Sequence, residues 1–330
     1  MPLTVDPASF QLPAHLSDLA QSVAGKRVLI TGSGKDQGLG QAFALAAGLN
    51  GAASVGVHFF GSYADGLATC DLIERHGGHA FPVQADVTNT SDVWAIRSYT
   101  IRQMGGLTPD LVICNSGLSE SGYLLGRPPR AVDGESAAMR RARARKDFVQ
   151  NLTQSTAVIN TKMDGFLYMT HLWAAEALHA KRPITFVYIS SRQAVDPGAG
   201  VPGYVLANFG VLALPRVLRK NLGRKADLVT AFSVAYPFVK TGMTSEYADN
   251  PKVFGRWQPR MLTGPEGAIA LLQLLTRPAQ ELDDRIFQLN VAPAAEASGE
   301  PTPVELRWSR VALEPREEPL AWSEDRPLSL

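Results

Sequence analysis

The stretch RVLITGSGKDQGLGQAFAL (residues 27–45) joins a short β-branched run to a glycine-rich turn and the opening of an apolar helical pattern. A strand that ends in such a turn and feeds a helix is the first half of a βαβ unit, and its geometry suits a pyrophosphate. Gly32 and Gly38 let the backbone approach a phosphate closely. Gly40 allows the helix to pack tightly on the strand, and the helix start offers unpaired N–H groups and positive dipole. Ser33, Lys35 and Leu39 lie in the same turn and join these glycines as candidate cofactor contacts.

Outward from this unit, further apolar runs follow at SVGVHFF (54–60), AFPVQAD (80–86), DLVICN (110–115), ITFVYIS (184–190), LVTAFSVA (228–235) and RIFQLNV (285–291). Amphipathic stretches at 39–49, 67–76 and 166–178 alternate with them. Continuous apolar strands separated by helices predict an α/β fold, a doubly wound Rossmann-type parallel sheet of about seven strands flanked by helices. The boundaries expected are an N-terminal extension (1–25), one catalytic domain (26–292) with a basic insert at about 120–150, and a Pro-rich acidic C-terminal tail (293–330). Ligands of such sheets bind just beyond the carboxyl ends of the strands.

The bulk numbers fit a globular chain: 330 residues, 45% hydrophobic and 19% charged. A net charge of +1 argues against nucleic acid as a partner. No apolar run reaches the roughly 18 residues of a membrane span, and the first 25 residues lack the pattern of a secretory leader, so a cytoplasmic protein with no membrane partner is expected. Cys70 and Cys114 stand far apart without metal-ligand spacing, which predicts reduced thiols and no metal. Charge is nonetheless uneven. RPPRAVDGESAAMRRARARK (127–146) carries seven basic residues against two acidic, whereas the chain from residue 293 carries eight acidic against four basic.

The glycine loop resembles that of the short-chain dehydrogenase/reductase family, TGxxxGxG, but five residues rather than three separate Gly32 from Gly38. The resemblance continues for over two hundred residues. It implies that Asp86, with Val87 beside it, contacts the adenine, and that CNSG (114–117) supplies Asn115 and Gly117 where the family has NNAG. It also implies that YPFVKTGM (236–243) holds a nicotinamide carboxamide through the Val239 backbone and the Thr241 hydroxyl, next to Pro237. After the second strand, Gly61 and Ser62 occupy the turn where an acid would bind the adenosine ribose, and the first acid is Asp65. A 2′-phosphate is therefore tolerated, Lys35 is placed to pair with it, and NADPH is favoured over NADH.

Reduction of a carbonyl leaves an alkoxide to be protonated, and a phenol serves once a nearby cation lowers its pKa. In the family a serine lies thirteen residues before the tyrosine, as Ser191 does before Tyr204; Ser190 should point to the other face of its strand. Most members place lysine four residues after the tyrosine and asparagine on the preceding long helix as N-x-x-G. Here Asn208 follows Tyr204, and Lys162 occupies the asparagine position ahead of Gly165. This exchange resembles the ketoreductase domains of modular polyketide synthases and animal-type fatty acid synthases and implies a tetrad of Lys162, Ser191, Tyr204 and Asn208. The competing assignment makes Asn160 the family asparagine in a shifted helix, with the lysine lost.

The function implied is NADPH-dependent reduction of a ketone in polyketide or other secondary-metabolite biosynthesis. The alternatives are an alcohol dehydrogenase or sugar-type reductase acting on a free small molecule, and a catalytically weak NADP-binding protein with a regulatory or structural role. The Arg-rich segment reads as a solvated helix or lid, or as a receptor for an acidic carrier protein presenting the substrate. The acidic tail reads as an extended segment that could lie on that basic surface. A homo-oligomer is also expected.

Overall fold

Eight strands form one sheet in the order β3-β2-β1-β4-β5-β6-β7-β8 in a computed structural model, which describes residues 3–122, 132–198, 200–245, 261–293 and 304–313. The parallel strands are β1 (Arg27–Ile30), β2 (Ser54–Phe59), β3 (Ala80–Gln84), β4 (Leu111–Cys114), β5 (Ile184–Ser191), β6 (Val229–Tyr236) and β7 (Arg285–Pro293). They coincide with the seven apolar runs of the sequence to within two residues at each end. The order reverses between β1 and β4, so the cleft opens over the ends of those strands.

Helices cover both faces. On one side α1 (Leu39–Gly48) lies beside α7 (Gly264–Leu275), and α2 (Tyr63–Arg75) packs its Ile73 against Gly48 of α1. Nine of the ten residues of α1 are buried, so an alanine-rich helix without a polar face suits the position. On the other side lie α3 (Thr90–Gln103), α4 (Ala137–Ala180), α5 (Pro202–Val211) and α6 (Leu214–Leu222). The side chain of Asn89 caps α3, and Thr263 with Glu266 forms a capping box on α7, so these starts are written locally.

The 44-residue α4 begins at Ser136, whose hydroxyl accepts from the Met139 amide, and ends at a left-handed Lys181. Its buried residues run only from Val158 onward, so the first five turns stand clear of the sheet. The arginine-rich stretch from residue 137 is therefore helix. Residues 123–131 lie outside the described residues.

The described parts of both terminal segments pack against the core. Phe10, Leu19 and Val23 of the N-terminal segment are buried in the cluster that contains α1 and α7, and Asn50 clasps this segment through Leu12 N–H and the Phe10 carbonyl. At the other end, Val304–Arg310 forms β8, antiparallel to β7 with Leu289 opposite Trp308. The sequence had suggested only an extended tail, but VELRWSR alternates Val304, Leu306 and Trp308 with polar residues, the period of a half-buried edge strand. Residues 294–303 and 314–330 lie outside the described residues. No helix among the described residues is long and apolar enough to cross a membrane.

Trp308 anchors that edge, its indole N–H donating to the Ala270 carbonyl at 3.1 Å and its ring meeting Tyr236 edge-on at 6.1 Å. Trp308→Ala should lower the unfolding free energy by about 2 kcal/mol in a urea titration, from lost burial and one orphaned carbonyl. An unchanged midpoint would mean that β8 carries no part of the core.

Candidate active site

The glycine loop is built on close contacts that a β-carbon would destroy. Gly32 has a left-handed φ of +65°, and a Cβ there would lie 2.8 Å from Ser116 Cα; one on Gly40 would lie 2.3 Å from the Gly32 carbonyl oxygen and 2.5 Å from Asn115 Nδ2. One on Gly38 would meet the Lys35 carbonyl at 2.9 Å. Gly38 also begins α1 with no side-chain cap, which leaves the N–H groups from Leu39 onward facing the loop. This cradle fits a dinucleotide pyrophosphate.

The loop is strapped from below. The Thr31 hydroxyl accepts from the Asn115 and Ser116 amides, and Asn115 Nδ2 donates to the carbonyls of Thr31 and Gly32. Asn115 thus shapes the loop through its carboxamide. The Ser33 side chain turns inward: it is fully buried and its hydroxyl donates to the Ile30 carbonyl. The sequence offered no hint of His58, a polar residue in an apolar strand, whose Nδ1 accepts from the Gly32 N–H at 3.2 Å. Burial lowers its pKa to about 4, so the ring stays neutral and keeps that acceptor.

The two extra loop residues are held at the surface. Thr4 bonds to the Asp36 carboxylate and receives the Gln37 amide, while the buried Gln41 accepts from Gln37 N–H and donates to Thr69. Asp65 accepts from the Asp36 amide, so the first acid after β2 is engaged with the loop. The Lys35 ammonium sits 3.9 Å from where a Cβ on Gly242 would lie, across the cleft. Ser62 begins α2 with no cap bond from its side chain.

Farther along the cleft, one Asp86 carboxylate oxygen accepts from the amide and hydroxyl of Thr88, and Val87 packs against Gly165, where a Cβ would lie 2.7 Å away. After β6, Pro237 leads into Val239, which bridges Leu262. In a parallel bridge the N–H and C=O of Val239 point away from Leu262; its carbonyl takes the Thr244 hydroxyl, and Thr241 bonds to the same hydroxyl.

Ser191 ends β5, and its hydroxyl accepts from the Gln193 amide at 3.2 Å. Ser190 faces the opposite way, giving its hydroxyl to the Asn208 carbonyl, which matches strand alternation. On α5, Asn208 is fully buried and donates back to the Tyr204 carbonyl at 2.8 Å, while its Oδ1 has no partner among the described residues. Burial raises the Tyr204 phenol pKa above its ordinary value; the Ser191 hydroxyl and Asn208 amide beside it act in the opposite direction. These three groups are therefore brought together.

Lys162 projects from the buried face of α4, 6% exposed, whereas Asn160 is on the exposed face. Its ammonium lies 4.9 Å from the centre of the Phe166 ring and 3.8 Å from where a Cβ on Gly117 would sit. No carboxylate pairs with it among the described residues, and burial lowers its pKa to about 7. Cys114 nearby is buried and held firmly as a thiol.

The sequence pattern of the family described as short chain dehydrogenase matches residues 26–252. A 3-oxoacyl-(acyl-carrier-protein) reductase of Staphylococcus aureus is 23% identical over 227 residues, 69% of this chain and 80% of its own length. The enzyme of that name from Pseudomonas aeruginosa is 26% identical over 225 residues, 68% and 78% of the two chains. Among solved structures, a gluconate 5-dehydrogenase from Burkholderia cenocepacia in complex with NADP and tartrate superposes with a TM-score of 0.65 at 18% identity, covering 83% of this chain and 97% of its own.

The buried amine has a consequence for stability. In the unfolded chain Lys162 titrates near 10.4, so between about pH 7 and 10 the unfolded chain holds the extra proton and rising pH favours the fold. Lys162→Met should raise the urea midpoint more at pH 6 than at pH 9. An equal gain at both would show that the amine is not buried in its charged form.

Proposed function

The chain belongs to the short-chain dehydrogenase family of oxidoreductases, and from that premise we propose that it is an NADPH-dependent ketoreductase with an exchanged catalytic tetrad. One observation carries the proposal: a buried amine without an ion pair, Lys162, lies on the face of α4 that meets Gly117, while the polar alternative, Asn160, faces solvent. A buried amine left uncompensated costs stability, so its retention argues for chemistry.

The proposed roles follow from the groups themselves. Bound NADPH would supply the hydride to the carbonyl carbon. Ser191 would orient the carbonyl oxygen, and Tyr204 would give that oxygen its phenolic proton. Lys162 as ammonium would stabilise the phenolate left behind, and the unpartnered Oδ1 of Asn208 would accept the next hydrogen bond of a proton relay. A phenol whose pKa is raised stays protonated at neutral pH, which suits donation in the direction of reduction.

For the cofactor, the α1 start and Gly32, Gly38 and Gly40 would hold the pyrophosphate, with Lys35 closing over it from the side of Gly242. The uncapped start of α2 at Ser62, with Asp65 engaged elsewhere, supports NADPH over NADH. The names of the two bacterial relatives support a 3-oxo ketone carried on an acyl carrier protein, and the exchanged Lys162 and Asn208 are our ground for placing it in polyketide or related secondary metabolism. The exposed Arg141, Arg145 and Lys146 would meet that acidic carrier. Exposed Leu167, Leu206, Phe209 and Val217 on α4, α5 and α6 support a homo-oligomer.

Tyr204→Phe should lower kcat for NADPH-dependent ketone reduction by about a thousandfold while NADPH fluorescence still reports binding. Wild-type reduction should fall as pH rises through the Lys162 value of about 7, and Lys162→Arg should move that fall upward. A Tyr204→Phe enzyme that still turns over would end the mechanism. Reversing Arg141, Arg145 and Lys146 to Glu should impair a carrier-bound ketone and spare the free one; an unchanged preference would end the carrier role.

A further inference from the structure

The helix that carries Tyr204 starts without a cap of its own. Val201 precedes it with a left-handed backbone, φ 54° and ψ 56°, and supplies no capping side chain. For a β-branched residue that conformation is strained and must be imposed from outside. Pro202 at the first helical position has no N–H, so the first orphan donors of α5 are the amides of Gly203 and Tyr204.

Both are taken by one residue more than eighty positions away. Glu120, 8% exposed in the loop after β4, accepts the Gly203 N–H on Oε1 at 3.2 Å and the Tyr204 N–H on Oε2 at 2.6 Å. The same Oε1 accepts the hydroxyl of Ser155 on α4. Two residues further, the Gly122 carbonyl accepts the Val201 N–H at 2.9 Å, which fixes the strained residue itself. The corner is tight as well, since a Cβ on Gly203 would lie 2.8 Å from both the Cα and the carbonyl oxygen of Ser155.

We propose that Glu120 is a positioning residue, whose carboxylate joins Ser155 on α4 to the start of α5 and thereby sets Tyr204 against Lys162. The inference rests on the reading of those two residues as a catalytic pair. Ser155 and Lys162 lie seven residues apart on α4, two turns of helix, so the anchored point and the amine share one face. A negative group at a helix start also suits the dipole of α5. Among the described residues Glu120 bonds neither to the phenol nor to the amine; it acts through the backbone of Tyr204.

The test uses the full-length enzyme with NADPH and a ketone that it reduces. Glu120→Gln keeps the volume but turns an amide NH2 toward one of the two backbone donors. Expected are a kcat lower by about 30- to 100-fold, an NADPH affinity within about twofold of wild type, an altered pH profile of kcat, and faster hydrogen exchange at the Gly203 and Tyr204 amides. Ser155→Ala, which keeps both backbone bonds, should lower kcat in the same sense by about three- to tenfold, and it stands in if Glu120→Gln does not fold.

Two results would overturn the proposal. One is exchange at Gly203 and Tyr204 that stays slow in folded Glu120→Gln, which would mean that the carboxylate does not hold the helix start; where Ser155→Ala stands in, a wild-type kcat has the same force. The other is exchange that quickens while kcat and its pH profile stay as in wild type, which would make Glu120 a cap with no effect on the pair. Failure of the underlying ketoreductase reading looks different: Tyr204→Phe then leaves turnover unchanged, and the positioning role falls with it.

Discussion

The close crossing of α4 and α5 is the constraint on which the site depends. Glycine permits it at both ends of α5: a Cβ on Gly203 would strike the Ser155 backbone, and one on Gly210 would lie 2.7 Å from Met163 Sδ. A larger residue at Gly203 would push the helices apart, and one at Gly210 would displace the end of the Met163 side chain. Tyr204 and Asn208 lie between those glycines on α5, and Lys162 lies between Ser155 and Met163 on α4. The groups that need to meet are therefore borne on segments that cross closely, and the apolar wall beneath them, from Phe166 to Tyr188, is core.

A second constraint acts on the cofactor side. A loop two residues longer than the family pattern would be expected to gain freedom, yet its residues are tied to both ends of their surroundings. Thr4 reaches Asp36 and Gln37, and Gln41 holds Gln37 from below. The N-terminal segment is thus coupled to the loop as well as to the hydrophobic core. The same ties explain where Lys35 goes, since a loop fixed through Asp36 to Asp65 directs its neighbour across the cleft toward Gly242.

Most of the sheet was legible because buried parallel strands are continuous apolar runs, and no competing pattern confuses them. The eighth strand was hidden by its setting: VELRWSR alternates correctly, but proline and acid on either side suggest a tail. At the site, the spacing of Ser191, Tyr204 and Asn208 reflects local geometry along β5 and α5, so the adjacency of these side chains was legible. Where the Ser33 and Lys35 side chains point was not legible, because side-chain direction in an irregular loop depends on partners far away in the chain. Glu120 had no signal at all. Its donors lie 35, 83 and 84 residues downstream, and nothing near Val201 betrays that a cap is missing.

The central claim is that a lysine on α4 serves a tyrosine on α5. A crystal structure of the NADP-bound protein measures it directly, through the separation of the Lys162 ammonium from the Tyr204 hydroxyl. The account predicts roughly 4 to 6 Å, the range in which an ammonium holds down a phenol's pKa. A separation beyond about 10 Å, where solvent ions screen such a pair, would contradict it.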